Sequence, residues 1–304
     1  MKEYLRIRRA SLHRRIFSAN INRTGRRMTI LRAFTWTGTL AVFIAGSFLL
    51  ADGPESSSAA PAPARKAIVL AELFTSEGCS SCPPADEVLS RLVQQQPVTG
   101  VTVLGLSENV DYWNRLGWVD PFSSATFSKR QSEYAARVFR SSGVYTPQMV
   151  IDGSQEEVGS DAKGVYRKIA QAAQVPKAVV NVVADLPSAT TALHIRVKVD
   201  VPPEIIVGEA SDVVVAIAED NLASDVRHGE NGGKRLKHSG VVRRFLTVGT
   251  LMPHTRGWSG TTSVAVAPEW KSADLKVISF LQEQQSRRVV GAGWSNVTSQ
   301  AAPQ

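Results

Sequence analysis

AIVLAELFTSEGCSSCPPADEVLSRLV, residues 67–93, contains the only two cysteines of the chain, Cys79 and Cys82. Lys66 to Phe74 is nearly continuously apolar, as a strand buried on both faces should be. Thr75 to Gly78 turn the chain, and Ser80 or Ser81 can serve as N-cap of a helix. Pro83 and Pro84 suit its first turn, and Asp86 and Glu87 put acid where the helix dipole favours it. Val88, Leu89, Leu92 and Val93 fall on one helical face, and Pro97 stops the helix. Two thiols therefore stand at a helix N-terminus. The roughly half positive charge there stabilises a thiolate and draws a cysteine below its usual pKa of about 8.5. Two such thiols can form a disulfide and break it again.

Working outward, Val101 to Leu106 reads as a second buried strand, completing a β-α-β unit. Residues 109–143 read as a helical insertion with Tyr112, Trp113, Trp118, Phe122, Phe127, Tyr134 and Phe139. Such aromatic density is core material, and its position also lets it cover the edge of the cysteine turn. VYTPQMVIDGSQEEVGSDAKGVYRKIAQAAQ, residues 144–174, predicts a strand through Met149–Ile151 and a hairpin turn at Asp152-Gly153. A short antiparallel strand to Val158 and a helix from about Asp161 to Ala173 follow.

Beyond Val175-Pro176 the period changes. Residues 178–297 show about seven alternating strands separated by turn residues, the pattern of an antiparallel sandwich. Their longest interruption, residues 221–240, is polar and glycine-rich and holds His228, Glu230, Lys234, Arg235, Lys237 and His238. A connection of that length is either a solvated loop or a functional one. The expected organisation is a leader and linker at 1–64, an α/β domain at 65–175 and an all-β domain at 176–304.

The formal charge of +8 belongs to the leader. Residues 1–50 carry ten Lys/Arg against one acid, Glu3, so 51–304 hold 25 basic and 26 acidic residues. A basic footprint for nucleic acid is thereby excluded. The basic region runs into an apolar stretch, Ala33 to Leu50, and then into DGPESSSAAPAPAR. That is the pattern of an export signal followed by a linker, with cleavage near Ala51 or between Ala60 and Ala64, or of an uncleaved N-terminal membrane anchor at 33–50. Met28 opens a complete signal-peptide pattern by itself, so residues 1–27 read as an upstream extension. Arg26-Arg27 resembles a twin-arginine signal, with Thr29 where an aromatic residue is usual. A periplasmic or secreted location is expected, in an oxidising compartment. A single disulfide closing so short a loop has little structural motive there.

The order β-α-β, insertion, β-β-α, with CxxC opening the first helix, resembles the thioredoxin superfamily. More narrowly, ELFTSEGCSSCPPAD (72–86), DYWNRLGWVDPFSSATFSKRQ (111–131), YTPQMVIDG (145–153) and HGENGGKRLKH (228–238) resemble a secreted bacterial family of unknown function. In that family a thioredoxin-like domain precedes a β-rich one. The resemblance implies a cis Thr146–Pro147 bond facing the cysteine turn, with the Thr146 backbone offered to an extended substrate. It also implies a buried acid that takes a cysteine proton. Glu72, seven residues before Cys79, can be that acid, or can sit at the sheet end in water or beside a lysine. Gly78 replaces the tryptophan usual before the first cysteine, and Ser80-Ser81 replaces the usual inner dipeptide, which leaves the direction of reaction open.

The chemistry expected is thiol–disulfide exchange with protein thiols and disulfides. Cys79, the outer residue, attacks, and Cys82 resolves the mixed disulfide. No cofactor beyond the disulfide is required. Zinc needs about four ligands and there is no second CxxC. A copper site borrowing a histidine from the β-rich half is the metal alternative. A non-enzymatic periplasmic binding protein, with the CxxC as redox sensor or metal clip, is the alternative of a different class.

Overall fold

Residues 66–188 and 190–300 are described in the computed structural model, so every reading of the leader and linker lies outside the described residues. The apolar run forms β1 (Ala67–Thr75), which pairs in register and parallel with β2 (Val101–Asn109) and antiparallel with β3 (Gln148–Ile151). β4 (Gln155–Val158) closes the hairpin through Asp152 and Gly153, both at positive φ. Helix α1 (Pro83–Gln95) and helix α3 (Ala162–Ala172) cover one face. There Val88, Leu89, Leu92, Val165 and Ile169 pack on Val69, Ala71, Leu73, Met149 and Ile151. Each large side chain so buried contributes roughly 1.5–3 kcal/mol. Asp161 caps α3 by accepting from the Gly164 N–H.

Between β2 and β3 lie a 3-10 turn (Asn114–Leu116), helix α2 (Ala125–Tyr134) and a π-helical turn (Ala135–Phe139). They pack on the other face, where Tyr134, Tyr112, Trp113 and Phe139 gather around Phe74, Val110 and Val150. The C-terminal half supplies β5 (Ala178–Pro187), β6 (Ala192–Asp200), β7 (Ser211–Glu219), β10 (Val241–Leu251), β11 (Gly257–Ala265), β12 (Leu275–Glu283), β13 (Val289–Asn296) and β14 (Thr298–Gln300). A separate two-stranded hairpin joins β8 (Leu222–Asp225) to β9 (Arg235–His238).

The expected fold class, an α/β thioredoxin-like domain with a helical insertion followed by an all-β sandwich, is overturned. The protein is mostly β, and the two halves share one mixed twelve-stranded sheet in the order β11-β6-β5-β13-β12-β7-β10-β2-β1-β3-β4, with β14 beside β5. The joint is at β10 and β2. Val241 pairs with Ser107, and the Ser107 N–H donates to the Gly240 carbonyl at 2.7 Å. The physical reason is that β2 is buried on both faces, so its second face needs an apolar partner, and the C-terminal half supplies it while the single pair Val241–Ser107 ties the two halves at that edge. A common core seals the joint: Leu70, Leu104, Leu106 and Phe127 pack with Val214, Ala216, Ile278 and Phe280. Beyond it, the strands of the C-terminal half curl around a second core that includes Leu193, Ile195, Val215, Val277 and Val264. Among the described residues no helix is long and apolar enough to cross a membrane.

Candidate functional site

Cys79 and Cys82 form a disulfide on the turn between β1 and α1, with Cα atoms 5.4 Å apart. Cys82 itself is the N-cap of α1, displacing Ser80 and Ser81 from that role, and its carbonyl accepts from the Ala85 and Asp86 N–H groups. Both cysteines are 0 % exposed, whereas Ser80 and Ser81 face solvent.

The Cys79 sulfur has two hydroxyls around it. Thr146 Oγ1 donates to it at 3.4 Å and Ser81 Oγ lies 3.3 Å away. Thr146 is oriented in turn by Trp113, whose Nε1–H donates to Thr146 Oγ1 at 2.9 Å. The Thr146–Pro147 bond is cis, and Pro147 is buried beside Gly159. Of the residues singled out in the sequence, then, Cys79, Cys82, Thr146 and Pro147 come together. Glu72 does not join them. Its carboxylate accepts from Arg130 Nε at 2.6 Å and from the Tyr134 hydroxyl at 2.6 Å, on the opposite face of β1. Arg130 also donates to Gln282 and stacks over Tyr134, Phe245 and Phe280, so Glu72 anchors the joint between the halves. Beside it Glu108 is fully buried, and burial together with the Glu72 charge pushes its carboxyl well up.

A buried polar cluster sits under the cysteine turn. Glu77, two residues before Cys79, donates its N–H to Asp120 Oδ2 at 2.9 Å, and its carboxylate accepts from His238 Nε2 at 2.9 Å and Trp118 Nε1 at 2.8 Å. Burial opposes the Glu77 charge, but these donors outweigh it and hold the carboxyl below its ordinary range. Asp86 accepts from the Thr75 hydroxyl at 2.9 Å. Burial, only partly offset by His238 and Thr75, pushes its carboxyl up to about 7. Asp120 is likewise raised by burial. His238 loses hydration, yet Glu77 and the neighbouring acids raise its imidazole above the usual value. Its Nδ1 has no partner among the described residues, and its ring packs edge-on against Phe122 at 5.3 Å.

The polar stretch 221–240 is ordered: it forms the β8–β9 hairpin. Its tip folds on itself, with Val226 and Lys234 bonded backbone to backbone and Gly233 at φ +83°, a conformation that favours glycine. Asn231, 0 % exposed, donates from Nδ2 to the carbonyls of both Glu77 and Cys79 at 2.9 Å. Glu230 accepts the Ser80 N–H at 2.9 Å.

Glu77, Asp120, Asn231 and the pairing of His238 with Glu77 are not readable from the sequence. Glu77 reads as one more turn residue, and Asp120 as part of an aromatic insertion. Only the polar excess of 228–238 marks that stretch as more than a linker. Among the described residues no three His, Cys, Asp or Glu side chains are grouped to hold a metal ion.

A family profile described as "Protein of unknown function (DUF1223)" matches residues 70–282. No curated protein matches the chain. The crystal structure of protein AGR_C_4864 from Agrobacterium tumefaciens is 27% identical, with 74% of this chain and 92% of that one covered at a TM-score of 0.57. HBP35 of Porphyromonas gingivalis is 14% identical, with 79% and 80% covered at a TM-score of 0.59, a likeness of fold alone.

Proposed function

The chain belongs to the DUF1223 family, proteins of unknown function, and on that premise we propose that it carries out thiol–disulfide exchange at Cys79–Cys82. The observation that carries this reading is the convergence of Thr146 and Ser81 hydroxyls on the Cys79 sulfur at the opening of α1. Two donors and a helix dipole favour a Cys79 thiolate once the bond is reduced. Such a thiolate is both the better leaving group when the mixed disulfide between Cys79 and substrate is broken and the nucleophile when a substrate disulfide is attacked. In the forward exchange a substrate thiolate attacks sulfur, the Cys79–Cys82 bond breaks, and the substrate dithiol leaves as a disulfide. In reverse, Cys79 attacks the substrate disulfide and Cys82 resolves the mixed intermediate.

Cys82 needs a proton partner in either direction. Asp86 lies four residues on, on the same helical face, with its carboxyl held near neutrality. We assign it that exchange in place of Glu72, whose carboxylate is committed to Arg130 and Tyr134. The reading places the reaction in an oxidising compartment reached through the basic and apolar leader. Protein thiols and disulfides are the substrates.

Turnover of a protein disulfide in the presence of a small dithiol tests it. Wild type is expected to catalyse the exchange, Cys79→Ser to abolish it, and Cys82→Ser to accumulate a mixed disulfide at Cys79. A wild-type rate no faster than the uncatalysed exchange overturns the proposal. A second reading, a non-enzymatic redox sensor, is favoured by the complete burial of both cysteines. It predicts stoichiometric oxidation and reduction without turnover.

A further inference from the structure

Resting on that reading, a second role can be assigned in the C-terminal half. The disulfide is inaccessible as it stands, and the tip of the β8–β9 hairpin is bonded to the backbone of its turn. Asn231 grips the carbonyls on either side of Gly78, those of Glu77 and Cys79. Glu230 seats a carboxylate on the Ser80 N–H, between the two cysteines. This hairpin is a two-stranded sheet of its own, outside the hydrogen-bonded path of the large one. Its tip, residues 227–234, can therefore lift without breaking a strand pairing of the main sheet.

We propose that the hairpin tip is a cover over the cysteine pair, and that Glu230 is the positioning residue that couples its release to reduction. While the pair is oxidised its sulfurs carry no charge, and the Glu230 carboxylate is free to occupy the positive opening of the turn. Reduction by a dithiol breaks the S–S bond. Two electrons pass to the pair, the dithiol becomes a disulfide, Cys82 takes a proton, and Cys79 is left as a thiolate with a proton released to solvent. The thiolate then stands on the residue next to the one whose N–H holds the Glu230 carboxylate, and like charges so placed repel. The cover leaves when the nucleophile forms, so Cys79 is exposed to substrate in the state that can attack. With the oxidised pair closed again, adventitious thiols are kept from it.

Two variants separate charge from grip. Glu230→Gln keeps an acceptor for Ser80 and removes the charge. Asn231→Ala removes two hydrogen bonds and leaves Glu230. The surrounding titratable groups, Glu77, Asp86, Asp120 and His238, are unchanged in both. In Glu230→Gln the reduced Cys79 is expected to titrate at lower pH than in wild type. The equilibrium with a reference dithiol should shift about tenfold toward the reduced pair, about 30 mV for a two-electron couple. In Asn231→Ala the rate of reduction of the disulfide by a small dithiol is expected to rise about thirtyfold, the effect of losing two bonds worth roughly 1 kcal/mol each. An unchanged equilibrium and Cys79 titration in Glu230→Gln overturn the coupling. An unchanged reduction rate in folded Asn231→Ala overturns the cover. Neither readout depends on turnover of a protein substrate, so failure of the exchange activity and failure of this inference are distinct results.

Discussion

Asp86 shows how one residue's environment reverses its meaning. In the sequence it is an acid in the first turn of a helix, where the dipole favours a negative charge. In the folded chain it is 8 % exposed and shares a buried pocket of charge with Glu77, Asp120 and His238. Its carboxyl rises from an ordinary 3.8 to about 7. A raised carboxyl holds its proton more tightly in the folded state, so its contribution to stability is complete below about pH 4. It is lost as pH rises through about 7, to the extent of roughly 4 kcal/mol. His238, also raised, works in the same direction above its ordinary 6.5, and Glu77, lowered, in the opposite direction below 4.5. Asn in place of Asp86 mimics the protonated form at every pH. We therefore expect Asp86→Asn to gain in Tm relative to wild type between pH 4.5 and pH 8, by several degrees. Parallel Tm profiles for the two proteins would show that Asp86 does not titrate in that window. None of this is legible in the sequence, because Glu77, Asp86 and His238 meet only through the packing of residues some 150 positions apart.

At the scale of elements, much of the pattern is legible. The alternating runs of residues 178–297 become β5, β6, β7, β10, β11, β12 and β13, and Asp152-Gly153 turns β3 into β4. Helix α1 ends before Pro97, at Gln95. Alternation, however, records only which face of a strand is buried, and carries no record of which edge meets which. The pairing of β10 with β2, the step that makes one sheet of two halves, depends on a backbone approach at a single glycine. Gly240 sits at φ +66°, and a Cβ there would lie 2.6 Å from the Gly105 carbonyl oxygen. Its N–H donates to Asp220 Oδ1 and its carbonyl accepts from Ser107. Gly240→Ala must strain the backbone and push β2 and β10 apart. A loss of about 2–3 kcal/mol is expected, read as a lower urea midpoint. An unchanged midpoint would mean that the joint has slack to accept a side chain. The hairpin β8–β9 is not legible in the sequence for a related reason: its strands are four residues each and polar outward, and their hydrophobic content is Leu222, Ala223 and Leu236.

For the molecule as a whole, the disulfide stands where three parts meet. The first half provides the cysteine turn, the segment before β3 provides Thr146, and the second half provides His238, Glu230 and Asn231. The C-terminal half is thus part of the site and more than an appended β module. This also explains why the candidate site was half legible. Cys79 and Cys82 follow from a motif and its spacing and Thr146 and Pro147 from the family resemblance, whereas His238, Glu230 and Asn231 arrive from the other half of the sheet. A disulfide kept only as a staple and one used for exchange differ most sharply in how readily they are reduced. Structural disulfides resist reduction below about −300 mV, while exchanging pairs lie between about −120 and −270 mV. The direct measurement is the redox midpoint of the Cys79–Cys82 pair, obtained by equilibrating the whole protein with dithiol buffers and counting free thiols. A midpoint within that exchanging range is predicted. A midpoint below about −300 mV would make the pair a structural bond and contradict the account.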